Sequence, residues 1–169
     1  MIAIRILGLD PGLRRLGWGA IDVAGSRLTH VAHGVIEAAD TTAGLGSRLL
    51  ALYDGLTRVI AEVGPRAAAV EQAFVHRDPS AALKLGHARA IALLAAAEAG
   101  LEIAEYTPNH IKKSVVGVGH AGKEQVLAMV SRLLPACGVE ASDAADALAA
   151  AIAHAHLSSG RARILSAMA

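Results

Sequence analysis

Three runs with strand character come first in this chain, before any helical periodicity appears. Residues 2–10, 15–23 and 27–37 are strand-like, and the Ala24-Gly25-Ser26 turn splits the second from the third. From Leu45 the period changes. Leu45, Leu49, Leu52, Leu56, Val59, Ile60 and Val63 mark one face of a helix that Gly64-Pro65 ends. A strand is predicted at 67–73, followed by a helix that Asp78-Pro79 opens and Gly100 closes. A strand at 102–107 and helices at 108–116, 123–134 and 143–157 complete the pattern. A block of strands, then helix–strand–helix–strand, then helices predicts an α/β fold: a five-stranded mixed sheet flanked by helices. No repeat or linker divides it, so one domain is expected over 1–157, with 158–169 as a flexible C-terminal tail.

The filling of that fold is unusual. Apolar residues make up 54% of the 169, yet only Trp18, Tyr53, Phe74 and Tyr106 are aromatic. The core must therefore be built of Ala, Leu, Ile and Val, and a platform of several exposed rings for stacking bases is excluded. Cys137 is the single cysteine, so neither a disulfide framework nor a thiolate metal cluster is available. The opening MIAIRILGLD meets Arg5 and Asp10 too early for an export signal. The uncharged stretch at 147–160 includes two histidines and two serines, well short of the roughly 18 apolar residues of a spanning helix. A cytoplasmic protein with no membrane segment is expected.

Four carboxylates stand out. Asp10 precedes Pro11 and so ends the first strand, with Pro11-Gly12 forming a tight turn. Strand alternation puts Ile4, Ile6, Gly8 and Asp10 on one face, where Gly8 is expected to leave room for a charged ligand and Gly12 to let it approach the backbone. Taken alone, Asp10 is better read as capping its own turn. Glu71 lies within the apolar run Ala67–Ala73, where burying a carboxylate is costly unless it is paired or bound to a metal. Asp143 and Asp146, spaced i, i+3 at a helix start, share a face, and capping of that helix is their commonest role. As a set they read differently: two strand-end carboxylates and two from a later helix packed on the sheet. Converging carboxylates raise one another's pKa unless a cation neutralises them. Oxygen donors of this kind suit Mg²⁺ or Mn²⁺ rather than zinc. Two such ions about 3.5–4 Å apart activate water and stabilise the leaving oxygen in phosphodiester cleavage.

The segments Ile6–Gly12, Val70–Gln72, Ser80–Gly86, Lys113–Gly117 and Asp143–Ala149 closely resemble the RuvC family of Holliday-junction resolvases, in the expected order over about 4–157. The resemblance implies a ribonuclease-H-like fold and a homodimer that nicks four-way DNA junctions symmetrically in recombination and repair. It also implies two Mg²⁺ per site, with Mn²⁺ as a substitute, and partnership with the RuvA and RuvB branch-migration proteins. By the same resemblance Asp10, Glu71, Asp143 and Asp146 are the metal-binding catalytic carboxylates. A YqgF-type nuclease of RNA processing shares the Leu-Asp-Pro-Gly start, but not the Ser80–Gly86 and Asp143–Ala149 segments. A sugar-kinase-like protein would need two such domains, and a junction binder without cleavage would be expected to lack a carboxylate.

The formal net charge is only +1, but setting the four carboxylates aside leaves a clear basic excess. Between Glu105 and Glu124 there is no acid, while Lys112, Lys113 and Lys123 fall there with His110 and His120. Lysines flanking a glycine-rich loop suit phosphate contact. Gly12, Phe74, Arg77, Lys84, Lys112, Lys113 and Lys123 are the expected DNA contacts, and the Ala- and Leu-rich helix at 79–100 is the expected dimer surface. Phe74, three residues past Glu71, is equally well read as a base wedge or as a core residue. The wedge reading predicts that Phe74→Ala slows junction cleavage more than it lowers the melting temperature; an unchanged cleavage rate would reject it.

Overall fold

A connection as short as Ala24-Gly25-Ser26 leaves its two strands no choice but to pair antiparallel, and Gly25 takes the positive φ (63°) the turn demands. The computed structural model describes residues 2–38, 42–72 and 78–167, with side chains through Ser158. In chain order the elements are β1 (Ile4–Asp10), β2 (Arg15–Ala24), β3 (Arg27–Glu37), α1 (Leu45–Val63), β4 (Ala67–Glu71), α2 (Pro79–Glu98), β5 (Glu102–Tyr106), α3 (Pro108–Val116), α4 (Lys123–Leu133) and α5 (Ser142–Ala167). The sheet order is β3-β2-β1-β4-β5. Its first three strands are antiparallel, whereas β4 and β5, reached through helices, run parallel to β1. This is the five-stranded mixed sheet read from the sequence.

Alternation along the strands divides the interior into two layers. Leu7, Leu9, Leu16, Ala20 and Val70 pack with α1 and α2 on one face. Ile6, Ile21 and Ala69 pack with α3, α4 and α5 on the other. The helix α5 lies between the sheet and the pair α3 and α4, and Ala147 through Ala153 are all buried. A helix buried on every side shows no amphipathic stripe, and here it is made almost wholly of alanine.

The approach of α5 to the sheet is unusually close. Gly8 pairs with Gly19 and Asp10 with Gly17 across β1 and β2. A Cβ on Gly8 would strike the Ala147 carbonyl oxygen and lie 2.8 Å from the Ala151 nitrogen. On Gly17 it would strike the Asp143 carbonyl and lie 3.1 Å from its Cβ. Gly8 was expected to leave room for a ligand; instead its space is filled by the backbone of α5. Two element ends also differ from the pattern. Glu71 closes β4 rather than lying inside a strand reaching 73, because pairing with β5 ends at Glu71–Tyr106. The last helix runs to Ala167 rather than ending near 157, since no proline interrupts it and Ser158 donates back to the carbonyl of His154 at 2.7 Å. The expected tail at 158–169 is thus helical as far as it is described. Phe74 and Arg77 lie outside the described residues.

Two glycine substitutions test this packing. Gly8→Val should destabilise the protein by at least about 2 kcal/mol, since the helix it meets is backbone and cannot turn aside. Gly46→Ala, with nothing within 4 Å of its Cβ, should add roughly 0.5 kcal/mol. Denaturant midpoints measure both, and a neutral Gly8→Val would disprove the close approach.

Candidate active site

Asp10 closes β1 because Pro11 cannot continue the ladder and Gly12 completes the turn. In the adjacent parallel strand, Leu9 pairs with Val70, so Asp10 and Glu71 leave the same end of the sheet side by side. Both follow small residues, Gly8 and Ala69, on the face covered by α5. From above, the first turns of α5 bring Asp143 over Gly17 and Asp146 three residues further along. The neighbouring α3 and α4 add Lys112 and Lys123. Together Asp10, Glu71 and Asp146 line a cavity of about 220 Å³ with both lysines.

The charges in this cavity are out of balance. Burial, reinforced by the negative charges of Asp146 and Asp143, pushes the Asp10 pKa up to about 7, with Lys123 opposing. Burial, then Asp10 and Asp146, pushes Glu71 up to about 8, with Lys112 and Lys123 opposing. Asp146 is raised as well, again mainly by burial. Its contact with Lys123 is long, 3.9 Å from Nζ to Oδ2. Neither Asp10 nor Glu71 forms an ion pair among the described residues. Asp143 is set slightly apart: its Oδ2 lies 3.2 Å from Nε of Arg15, and it borders a second groove that also reaches Asp10. Among the described residues no three Asp, Glu, His or Cys side chains are already gathered into a chelate. What is present is a half-buried, all-oxygen, net-negative donor set. That fits a hard divalent cation, whose charge would offset the burial and the repulsion that together raise these pKa values.

The expected DNA contacts separate into three places. Lys112 and Lys123 line the carboxylate cavity. Lys113 lines a different groove, about 740 Å³, with His110 and His120. Lys84 and Gly12 line the groove of about 540 Å³ beside Asp10 and Asp143. Arg14, Arg15 and Arg48 also lie on this last groove, and sequence reasoning passed over them. Arg14 and Arg15 sit just past the Asp-Pro-Gly turn, which was their only signal. The link from Arg15 to Asp143 joins residues too distant in sequence to be paired by pattern. The histidines read as unsuited to chelation are engaged otherwise: His154 with the Tyr106 hydroxyl at 2.8 Å, and His156 with the Ser114 carbonyl at 3.2 Å. Cys137 is buried in the core, consistent with its structural reading. Among the described residues no helix is long and apolar enough to cross a membrane.

Comparison with known proteins agrees with this geometry. The family model for crossover junction endodeoxyribonuclease RuvC matches residues 6–154. A crossover junction endodeoxyribonuclease RuvC from Parvibaculum lavamentivorans is 56% identical over 99% of this chain and 95% of its own length. One from Paracoccus denitrificans is 58% identical over 94% and 96%. Among solved structures, Thermus thermophilus RuvC in complex with Holliday junction substrate superposes with a TM-score of 0.86 at 32% identity, covering 94% of this chain and 96% of that one. By its ribonuclease-H-like sheet, the helix laid across it and these matches, the chain belongs to the RuvC family.

Proposed function

We propose that this protein is a metal-dependent endonuclease that resolves four-way DNA junctions in recombination and repair by paired, symmetric nicks. The observation that supports this most directly is the cavity where Asp10, Glu71 and Asp146 converge beside Lys112 and Lys123. Asp10, Glu71, Asp143 and Asp146 would hold Mg²⁺, or Mn²⁺ in its place, with two ions per site implied by the family resemblance. When bound, such cations supply positive charge to the phosphate oxygens and make a water molecule more acidic. The chain contributes the rest. Burial pushes Asp10 and Glu71 up to about 7 and about 8, so protons would compete with the cation for their oxygens near neutral pH. Lys112 and Lys123 draw the scissile phosphate into the cavity and offset charge on its non-bridging oxygens.

The same reading makes the protein a homodimer, which presents two sites to a two-fold junction. The helix α2 is the surface proposed for it: Leu83 and Leu94 are more than half exposed on the side turned away from the buried Ala88, Ala92, Ala95 and Ala96. RuvA and RuvB are the proposed partners on the DNA, and the cytoplasm, where the bacterial chromosome lies, is the proposed location.

Incubation with a synthetic four-way junction and with linear duplex, with and without Mg²⁺, tests the function. Metal-dependent, symmetric nicking of the junction alone is expected; cutting of RNA, or binding without cutting, would overturn it. Asp10→Asn should bind junctions normally and cut them at least about 100-fold more slowly. A normal rate would show that the site is misassigned.

Metal binding should also depend on pH. Unfolded, Asp10 and Glu71 titrate near 3.8 and 4.5; folded and metal-free they hold their protons up to about 7 and 8. Their contribution to metal-free stability is therefore fully present below the lower values and is lost as pH rises through the upper ones. Mg²⁺ must displace those protons, so its apparent affinity rises with pH across this window. The melting-temperature gain on adding Mg²⁺ should be larger at about pH 8.5 than at about pH 6. An equal gain at both would mean these two carboxylates are not ligands.

A further inference from the structure

The groove beside the carboxylate cavity carries more cation than the fold uses. It is lined by Arg14, Arg15, Arg48 and Lys84 opposite Asp10 and Asp143, and it shares Asp10 with the cavity. Arg15 is accounted for, lying 3.2 Å from Asp143 and 3.8 Å from Glu37. Arg14 and Lys84 form no ion pair among the described residues and lie exposed. Arg48 is different again. Rising from the first turn of α1, it is half-buried, and its Nη2 donates to the Leu13 carbonyl at 3.1 Å, which ties α1 to the turn after β1. Its Nε is fully covered and has no acceptor among the described residues. No carboxylate neutralises it there either.

A half-buried guanidinium on the groove wall with no counter-ion among the described residues is costly unless something else brings acceptor oxygens and negative charge to its accessible edge. A phosphate does both, and the fork of an arginine matches its oxygens in a way a lysine cannot. The groove is also in the right place, because a strand whose scissile phosphate sits against Asp10 continues into it. Gly12 also lines the groove, but the carbonyl of Arg15 takes the place its Cβ would occupy, so this glycine keeps the turn tight beside Asp10 instead of opening its backbone to a ligand as expected.

We propose that Arg48, flanked by Arg14 and Lys84, grips a non-scissile phosphate of the cleaved DNA strand next to the cut, and so sets the register of the scissile phosphate over the carboxylates. This rests on the proposed junction-cleaving function and adds to it a specific contact. By anchoring the Leu13 carbonyl as well, Arg48 couples that grip to the turn that carries Asp10.

Binding to a four-way junction, measured in an Asp10→Asn background so that nothing is cut, tests the assignment. Arg48→Met should weaken binding by roughly tenfold and reduce the slope of log affinity against log salt by about one. The junction is then prepared with a single neutral methylphosphonate at each phosphate around the cut in turn. At one position the penalty of Arg48→Met should vanish, because the partner charge is already gone. If Arg48 only braces the fold, the penalty persists at every position and the salt slope is unchanged, and the proposal is overturned. Should Arg48→Met melt early, Arg14→Ala serves in its place. It should lose binding at the same phosphate or its immediate neighbour, and a loss independent of position overturns the grip. If the Asp10→Asn chain with Arg48 intact does not prefer the junction over linear duplex, the function itself fails and the grip with it. A kept preference without a phosphate-specific effect removes only the grip.

Discussion

The site depends on one contact, the backbone of α5 lying directly on the glycines of β1 and β2. Because Gly8 and Gly19 face each other across the strand pair and Gly17 lies opposite Asp10, the helix sinks until its carbonyls occupy the space of missing side chains. That depth puts Asp143 and Asp146 within electrostatic reach of Asp10, and Asp146 within reach of Glu71. A helix resting on ordinary side chains would stand off by a few ångströms, and its carboxylates would face water. The interior is close-packed, so a shift at Gly8 cannot be absorbed locally and is passed to the helix as a whole.

This packing also accounts for the electrostatics. Carboxylates held at the sheet end by a rigid scaffold are only partly open to solvent, so burial and mutual repulsion push Asp10 and Glu71 up to about 7 and about 8. The lysines only partly relieve this: Lys112 and Lys123 oppose the shifts without closing tight ion pairs. The site is thus poised to take up positive charge, and more cation is placed in the grooves on either side. Electrostatic tension at the centre and free cations around it are the arrangement expected where a polyanion and its counter-ions are handled together.

Much of the fold was legible because the chain punctuates itself. Asp78 does cap α2, accepting from Ser80 and Ala81, and Pro79 and Pro108 do open helices. The three opening strands are adjacent in the sheet, as their short connections require. Of the four carboxylates read as a set, the fold brings Asp10, Glu71 and Asp146 to one cavity at the end of the sheet and leaves Asp143 on the neighbouring groove. What the pattern could not carry was contact. Glycine in a strand signals close approach of something, but not whether that is a ligand or a helix more than a hundred residues away, and so Gly8 was misread. The capping reading of Asp143 and Asp146 was plausible locally, yet their side chains meet Arg15 and Lys123 instead. The lysine cluster looked like one surface, although α3 turns Lys112 to the carboxylates and Lys113 to another groove. Arg48 was invisible as a candidate, since a basic residue in the first turn of a helix has no distinguishing pattern.

The scarcity of aromatics follows from the same geometry. A helix enclosed by a sheet on one side and two helices on the other favours small side chains, and from Ala144 to Ala153 the buried positions of α5 carry nothing larger than Leu148 and Ile152; His154 follows where the Tyr106 hydroxyl meets its ring. Rings large enough to fill a core by themselves would push α5 off the glycines and separate Asp146 from Asp10. The composition is therefore a consequence of how near the two carboxylate-bearing elements must come. With few rings to stack on bases, recognition under the proposed function would rest mainly on phosphate position and backbone shape. On the proposed function, cations fixed at set distances from the carboxylate cavity would read that shape, because a junction and a straight duplex place their phosphates differently along the same groove.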